Sequence, residues 1–237
     1  MNPLKHIPKS NNEDIDNGSF ERLSEHSFAD LIALTGMYGV FRESDGTKLL
    51  LKTYGTYPTV SVEIKLFQDS NLSRLLIDMC RVVNFQTKVI HNVSLKVAEP
   101  QNGIGILIFR DQIANAIEMG VKRIFLTAKG FYQIRHEYSG YIVWAKFGYT
   151  MWDDRCIRKF NKLMDKARFR GRLRNPAPIH LSSTTVNDLV ADGQGALLWE
   201  WDGYTWEGEF YPQEKNNVNY LNIYLAKKSL KLIQSRV

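Results

Sequence analysis

The sequence predicts an α/β fold with a mixed, twisted sheet and a C-terminal extension, and three observations point to it. Val60, Val62, Ile64 and Leu66 alternate with Ser61, Glu63 and Lys65, the period-two pattern of a half-buried strand. Between Val89 and Ala128 the patterning runs strand, helix, strand, an order that implies a right-handed crossover and a partly parallel sheet. The chain has 237 residues, of which 44% are apolar, enough to bury a real core.

The elements follow in order. Residues 1–27 are polar, rich in Asn, Ser, Asp and Glu, and read as a loose arm. From Leu31 to Leu66 the pattern is that of strands, one of them Lys48 to Tyr54, with turns at Gly36, Gly39, Gly46 and Gly55. Leu72 to Phe85 mixes helical and strand spacing, and its second half reads as a strand. Gln86-Thr87 closes a hairpin into Val89 to Val97, with Val93, Leu95 and Val97 expected on one face and Asn92, Ser94 and Lys96 on the other. Ile106, Phe109, Ile113 and Ile117 then stand at helical spacing, and Gly120 ends the helix. Arg123 to Ala128 reads as a buried strand, Lys129 to Ser139 as a polar loop, and Gly140 to Phe147 as a short helix ending at Gly148.

Tyr149 to Trp152 is expected to return as a strand, and Asp153 or Asp154 to cap a basic helix. Pro176 and Pro178 mark a break. Thr185 to Val190 reads as a short helix, Ala196 to Trp206 as an aromatic strand pair turning at Asp202-Gly203, and Tyr220 to Leu230 as a closing helix or strand. The expected organisation is an arm over 1–27, a core over 28–152, and a basic and aromatic extension over 153–237 packed on that core.

Several classes are disfavoured. No stretch approaches the ~18 uninterrupted apolar residues of a membrane span, and Met1-Asn2-Pro3-Leu4-Lys5 lacks a signal-peptide core, so a cytoplasmic protein with no membrane partner is expected. Cys80 and Cys156 lack metal-ligand spacing, and no metal site is expected. The net charge of +6 is uneven. Arg155, Arg158, Lys159, Lys162, Lys166, Arg168, Arg170, Arg172 and Arg174 face the single acid Asp165 within one stretch. Such a stretch is either a solvated helix face or a site for RNA or another anionic partner. Trp199, Trp201, Tyr204 and Trp206 alternate with acids that would repel phosphate, which favours packing over nucleic-acid contact there.

The chemistry-bearing segment is Glu99-Pro100-Gln101-Asn102-Gly103-Ile104-Gly105. A loop whose backbone N–H groups point outward at the positive end of a helix suits a pyrophosphate, and Gly103 and Gly105 would let the phosphates approach. The competing reading is a tight strand-to-helix turn. The dinucleotide fingerprint is excluded by Ile108 at its third glycine, and the nucleoside-triphosphate loop by the missing Gly-Lys-Ser/Thr ending.

Gln101 to Gly105, the helix to Gly120, the strand Arg123 to Ala128 and the segment Gly140-Tyr141-Ile142-Val143-Trp144-Ala145-Lys146-Phe147-Gly148-Tyr149 together resemble the core of the GNAT superfamily of acyl-coenzyme A N-acetyltransferases. In that superfamily a loop Arg/Gln-x-x-Gly-x-Gly/Ala holds the coenzyme pyrophosphate, and a later short helix ends in Tyr-x-x-x-Gly-Phe. Ser139 to Tyr149 is closer to a branch with Asn-Gly-Tyr-Tyr-x-Trp-x-x-x-Gly-Phe. The resemblance covers about residues 60 to 152. It implies a sheet of the acyl-CoA N-acyltransferase type, with acetyl-CoA or another acyl-CoA as co-substrate and an amine acceptor that is a small molecule, peptide or protein. It further implies that strands Val89 to Val97 and Arg123 to Ala128 splay around the pantetheine arm. Backbone groups near Val97 and Ala98 would bind the arm, and Gln101, Asn102, Gly103, Ile104, Gly105 and Ile106 would form the phosphate loop.

Two departures stand out. Pro100 occupies the place of the loop's Arg or Gln, with Gln101 adjacent, and Trp144 occupies the place of the tyrosine that serves as general acid. Tyr141, one turn earlier, is the substitute acid; alternatively Tyr141 and Trp144 form an aromatic wall on the cofactor or pack the core. Glu99 and His91 are the candidate bases, with a solvated loop acid and a packed histidine as the competing readings. His136-Glu137 borders the expected acceptor cleft without zinc-helix spacing. Acyl transfer to an amine is the expected function. The alternatives are a non-catalytic module of the same fold and a nucleic-acid-directed protein using residues 155–174.

Overall fold

The structure, a computed structural model, describes residues 28–37, 48–68, 71–98, 103–135, 139–174, 185–191 and 193–234. The expected N-terminal arm therefore lies outside the described residues. The fold is α/β with a mixed, twisted, open sheet, the class that the sequence predicts. The chain divides into two compact units, residues 1–124 with 233–236 and residues 125–232.

The first unit opens with α1 (Phe28–Thr35). Here the expectation of strands from Leu31 onward gives way, because Leu31, Ile32 and Leu34 are buried together on one short helix. Strands β1 (Lys48–Thr56), β2 (Thr59–Phe67), β3 (Leu75–Asn84) and β4 (Val89–Val97) form an antiparallel meander in that order. In β2 the predicted residues Val60, Val62, Ile64 and Leu66 are all buried. The segment with mixed spacing becomes strand from Leu75 onward, because its carbonyls and amides find partners in both β2 and β4.

One irregularity changes β4. Its register against β3 shifts where Arg81 pairs with Asn92 and Cys80 with Ser94, leaving Val93 as the extra residue of a bulge. Val93 is consequently 45% exposed, while Ile90 and Asn92 are buried. The expected apolar face through Val93, Leu95 and Val97 is thus corrected by the bulge. The buried Arg81 spans it, its Nη1 donating to the Ser94 carbonyl at 2.8 Å.

Helix α2 (Ile104–Glu118) buries Ile106, Ile108, Phe109, Gln112, Ile113, Ala116 and Ile117. The apolar members of that stripe each contribute on the order of 1.5–3 kcal/mol when fully buried. Gln112 and Asn92 exchange side-chain hydrogen bonds of 2.9 and 3.0 Å, and Gln112 also donates to the Leu34 carbonyl at 3.0 Å. These bonds satisfy two buried amides while tying α1 and β4 to α2. Gly120 closes the helix at φ 67°, as the sequence predicts.

Strand β5 (Arg123–Ala128) carries the chain into the second unit, where it neighbours β7 (Trp206–Phe210), with the short β6 (Thr150–Met151) beyond. Helices α3 (Gly140–Lys146), α4 (Asp154–Arg174), α5 (Val186–Ala191), α6 (Gly193–Asp202) and α7 (Lys215–Lys227) complete it. The expected aromatic strand pair over Ala196 to Trp206 is instead α6 followed by β7. Trp199 and Trp201 suit a strand by alternation, yet Trp199 is fully buried with its indole N–H on the Tyr141 carbonyl, and Trp201 is 59% exposed. A helix lets Trp199 reach that carbonyl while its backbone keeps its own ladder.

Candidate functional site

The predicted phosphate loop lies at the C-terminal end of β4. Glu99, Pro100, Gln101 and Asn102 fall outside the described residues; from Gly103 onward the loop is described. Gly103 is the N-cap of α2 in the left-handed conformation, φ 71° and ψ 2°, which an L side chain rarely adopts. Its carbonyl accepts the first helical bond, from Leu107 N at 3.2 Å. The N–H groups of Ile104, Gly105 and Ile106 therefore precede the helical ladder, and the N-cap, a glycine, offers no side chain to cap them.

Among the described residues, a Cβ on Gly103 would meet only Ile106 Cγ2 at 3.9 Å, and one on Gly105 only Val97 Cγ2 at 3.6 Å. The Gly105 position therefore has room for the methyl of an alanine among the described residues. Three N–H groups ahead of the helical ladder and the positive end of a 15-residue helix suit an anion of phosphate type.

The strand before the loop is more restrictive than its sequence suggests. The Ala98 amide donates to the Leu76 carbonyl at 2.9 Å. In an antiparallel pair a residue's N–H and C=O face the same neighbour, so Ala98 presents its groups to the β3 side and Val97 presents its own to the opposite side. Of the two, Val97 is the one whose backbone is turned away from β3. His91 is half-buried in the middle of β4, opposite Val82 of β3.

The second predicted segment, Gly140 to Tyr149, lies in the second unit as α3 and its exit. Tyr141 is fully buried, and its hydroxyl donates to the Glu200 carbonyl at 2.7 Å. Burial first, and the neighbouring Glu200 carboxylate second, push that hydroxyl above the ordinary tyrosine range. Its backbone carbonyl accepts from the indole N–H groups of Trp199, at 2.8 Å, and Trp206, at 3.0 Å. A hydroxyl so engaged, and made a weaker acid, is placed to hold α6 on α3. Tyr141→Phe is expected to lower stability by about 1 kcal/mol, the worth of one such bond, in a denaturant titration followed by tryptophan fluorescence.

Trp144 is half-buried and meets Phe147 and Tyr149 edge-on, at centroid distances of 5.6 and 5.4 Å. Gly148, at φ 93°, turns the chain so closely that an added Cβ would lie 2.5 Å from the Asn217 carbonyl. Asn217 in turn donates to the Gly148 carbonyl at 2.7 Å, and Asn187 donates to the carbonyls of Ala145 and Tyr149. Nothing in the sequence singles out either asparagine. Their partners lie 69 and about 40 residues away, with no local pattern to mark them. His136 and Glu137 fall outside the described residues.

The basic stretch is α4, capped by Asp153, whose Oδ1 accepts from the amides of Arg155 at 2.7 Å and Cys156 at 3.3 Å. Burial pushes the Asp153 carboxyl up, but those two N–H groups and the Arg155 guanidinium outweigh it and hold it below the usual range. Among the described residues, no group of His, Cys, Asp and Glu is placed to hold a metal ion, and no helix is long and apolar enough to cross a membrane.

No family model and no curated protein matches the chain. Among solved structures it is similar to one described as "Crystal structure of Nourseothricin acetyltransferase", at 11% identity over 53% of this chain and 81% of that chain, with a TM-score of 0.30. A likeness that slight assigns no residue of this chain a role.

Proposed function

We propose that the chain is an acyl-coenzyme A-dependent N-acyltransferase, with acetyl-CoA as the first co-substrate to test. The observation that carries this reading is the start of α2: a left-handed glycine N-cap with no side chain to cap the helix, followed by three N–H groups that precede the helical ladder. The order β4, α2, β5 and the later Gly140 to Tyr149 segment support it, since both recur in the superfamily that the sequence resembles. Ile104, Gly105 and Ile106 would hold the coenzyme pyrophosphate, and the backbone of Val97 would meet the pantetheine arm.

The thioester supplies the acyl group, a C–N bond forms as the C–S bond breaks, and no covalent enzyme intermediate is needed. Glu99 and His91 are the groups proposed to take the amine's proton. The acceptor is an amine of a small molecule, peptide or protein.

Calorimetry with acetyl-CoA tests the reading, and a folded protein that binds none of it overturns it. Gly105→Glu is expected to weaken binding at least ~100-fold by setting a carboxylate against the phosphates, while an acid in the first turn leaves α2 intact. A second reading, coenzyme binding without turnover, is favoured by the Tyr141 hydroxyl, whose proton is given to the Glu200 carbonyl. Binding without thiol release across a panel of amines would support it. If Tyr141 is a packing residue, Tyr141→Phe leaves the rate of thiol release unchanged; an acid role would cost about 10²–10⁴-fold.

A further inference from the structure

Helix α4 separates its apolar and basic residues onto two faces. Phe160, Met164 and Ala167 are buried, with Cys156 and Leu163 half-buried beside them, so this stripe packs into the second unit. Arg155, Arg158, Lys159, Lys162 and Lys166 are all exposed. At 3.6 residues per turn those five fall in one sector about 100° wide, on the side away from the buried stripe, and run along about 16 Å of helix. Asp154 and Asp165, also exposed, lie at the flank of the sector and not within it.

Among the described residues, little compensates these charges. Among the described residues no carboxylate forms an ion pair with Arg158, Lys162 or Lys166. The Arg155 guanidinium lies 3.5 Å from Asp153, a carboxylate already engaged by the amides of the helix start. The Lys159 ammonium sits 3.7 Å above the Tyr204 ring. The five cations stand three or four residues apart, the spacing at which like charges on a helix repel. An anion laid along the face removes that repulsion, so its binding is favoured twice over.

We propose that this face of α4 binds the sugar-phosphate backbone of a nucleic acid. A helix that lies on a membrane turns an apolar face to the lipid, whereas the apolar face of α4 is buried in protein and its outward face offers charge. A compact anion needs donors that converge on one point, whereas these cations are strung along a line, as phosphates are along a strand. The helix continues to Arg174, and Arg168, Arg170, Arg172 and Arg174 extend its positive charge in the sequence. Contacts of this kind hold the backbone and carry no base readout, so binding is tolerant of sequence. The proposal does not depend on the acyltransfer reading.

The test is fluorescence anisotropy of the full chain with a labelled, mixed-sequence single-stranded RNA of about 20 nucleotides, between about 50 and 200 mM salt. Affinity is expected to fall linearly on logarithmic axes with a slope of about −3 to −4, at ~0.7 per phosphate contact. The triple variant Arg158→Gln, Lys162→Gln and Lys166→Gln is expected to weaken binding at least ~10-fold at the lowest salt and to flatten the slope by about 2. Its melting temperature should hold or rise, because repulsion along the helix is relieved. A control triple, Lys52→Gln, Lys96→Gln and Lys215→Gln, removes the same charge from exposed positions on β1, β4 and α7 and should bind nearly as the parent does.

Absence of RNA binding at the lowest salt overturns the proposal, as does an equal loss in the two triples, which would make net charge the cause. Binding of anionic phospholipid vesicles that depends on the α4 cations, when RNA binding does not, would assign the face to a membrane and likewise overturn it.

Discussion

Gly36→Ala is expected to destabilise the first unit by about 4 kcal/mol or more, lowering its melting temperature by roughly 10 °C or beyond. Gly36 leaves α1 at φ 79°, a conformation that costs an L residue about 1–2 kcal/mol. Steric contact costs more. An added Cβ would stand 1.9 Å from the Ile108 carbonyl oxygen, inside α2, where backbone must move to admit it.

Moving α1 off α2 strains the bonds that Gln112 and Asn115 make to the Leu34 and Ala33 carbonyls, at 3.0 and 2.9 Å, each worth about 1 kcal/mol. It also opens the packing of Leu31, Leu34, Met37 and Ile108, all at most 1% exposed. Gly120→Ala is the control. Its φ of 67° is similar, but the added Cβ would meet only the flexible Lys88 ammonium at 3.5 Å, so the cost should stay near 1–2 kcal/mol. Equal melting temperatures for the two variants would show that the approach of α1 to α2 does not limit stability.

Asn187→Leu is expected to cost the second unit about 2–4 kcal/mol in a denaturant titration read by tryptophan fluorescence. Asn187 is 1% exposed, and its Nδ2 donates to the Ala145 carbonyl at 2.9 Å and the Tyr149 carbonyl at 2.8 Å, pinning the exit of α3. Leucine has similar volume but no donor, so two buried carbonyls lose a partner.

Asn187→Asp separates this effect from packing. A carboxylate facing two carbonyl oxygens is disfavoured, so the folded-state pKa of the new acid lies above its unfolded value. The variant should therefore be least stable above that raised pKa and recover relative to the parent as pH falls through it, when the protonated acid can donate to one carbonyl. A variant equally destabilised at every pH would argue against donation as the role of Asn187.

At the candidate phosphate site the start of the helix was legible in the sequence: a helix was expected after the glycine pair, and α2 begins there with Gly103 as its left-handed N-cap. Which backbone groups remain available there was not legible. The Ala98 amide is taken by Leu76, a partner set by the register of a different strand, and that register is shifted by a bulge which no residue between Val89 and Val97 predicts. The Tyr141 hydroxyl is likewise occupied by a carbonyl 59 residues further along the chain.

By itself the sequence determined the elements whose reason is local. Alternation made β2, Ile106, Phe109, Ile113 and Ile117 made α2, Gly120 and Gly148 ended helices at positive φ, and the basic run after the capping Asp153 made α4. Tertiary structure decided where a short apolar run had two solutions. Leu31 to Leu34 became a helix because α2 offers partners for its side chains and carbonyls, and Ala196 to Asp202 became a helix because Trp199 has a carbonyl of α3 to reach. A local period reports only which side of an element is apolar; which partner covers that side, and which buried polar groups must be satisfied there, depends on residues that folding brings from far along the chain.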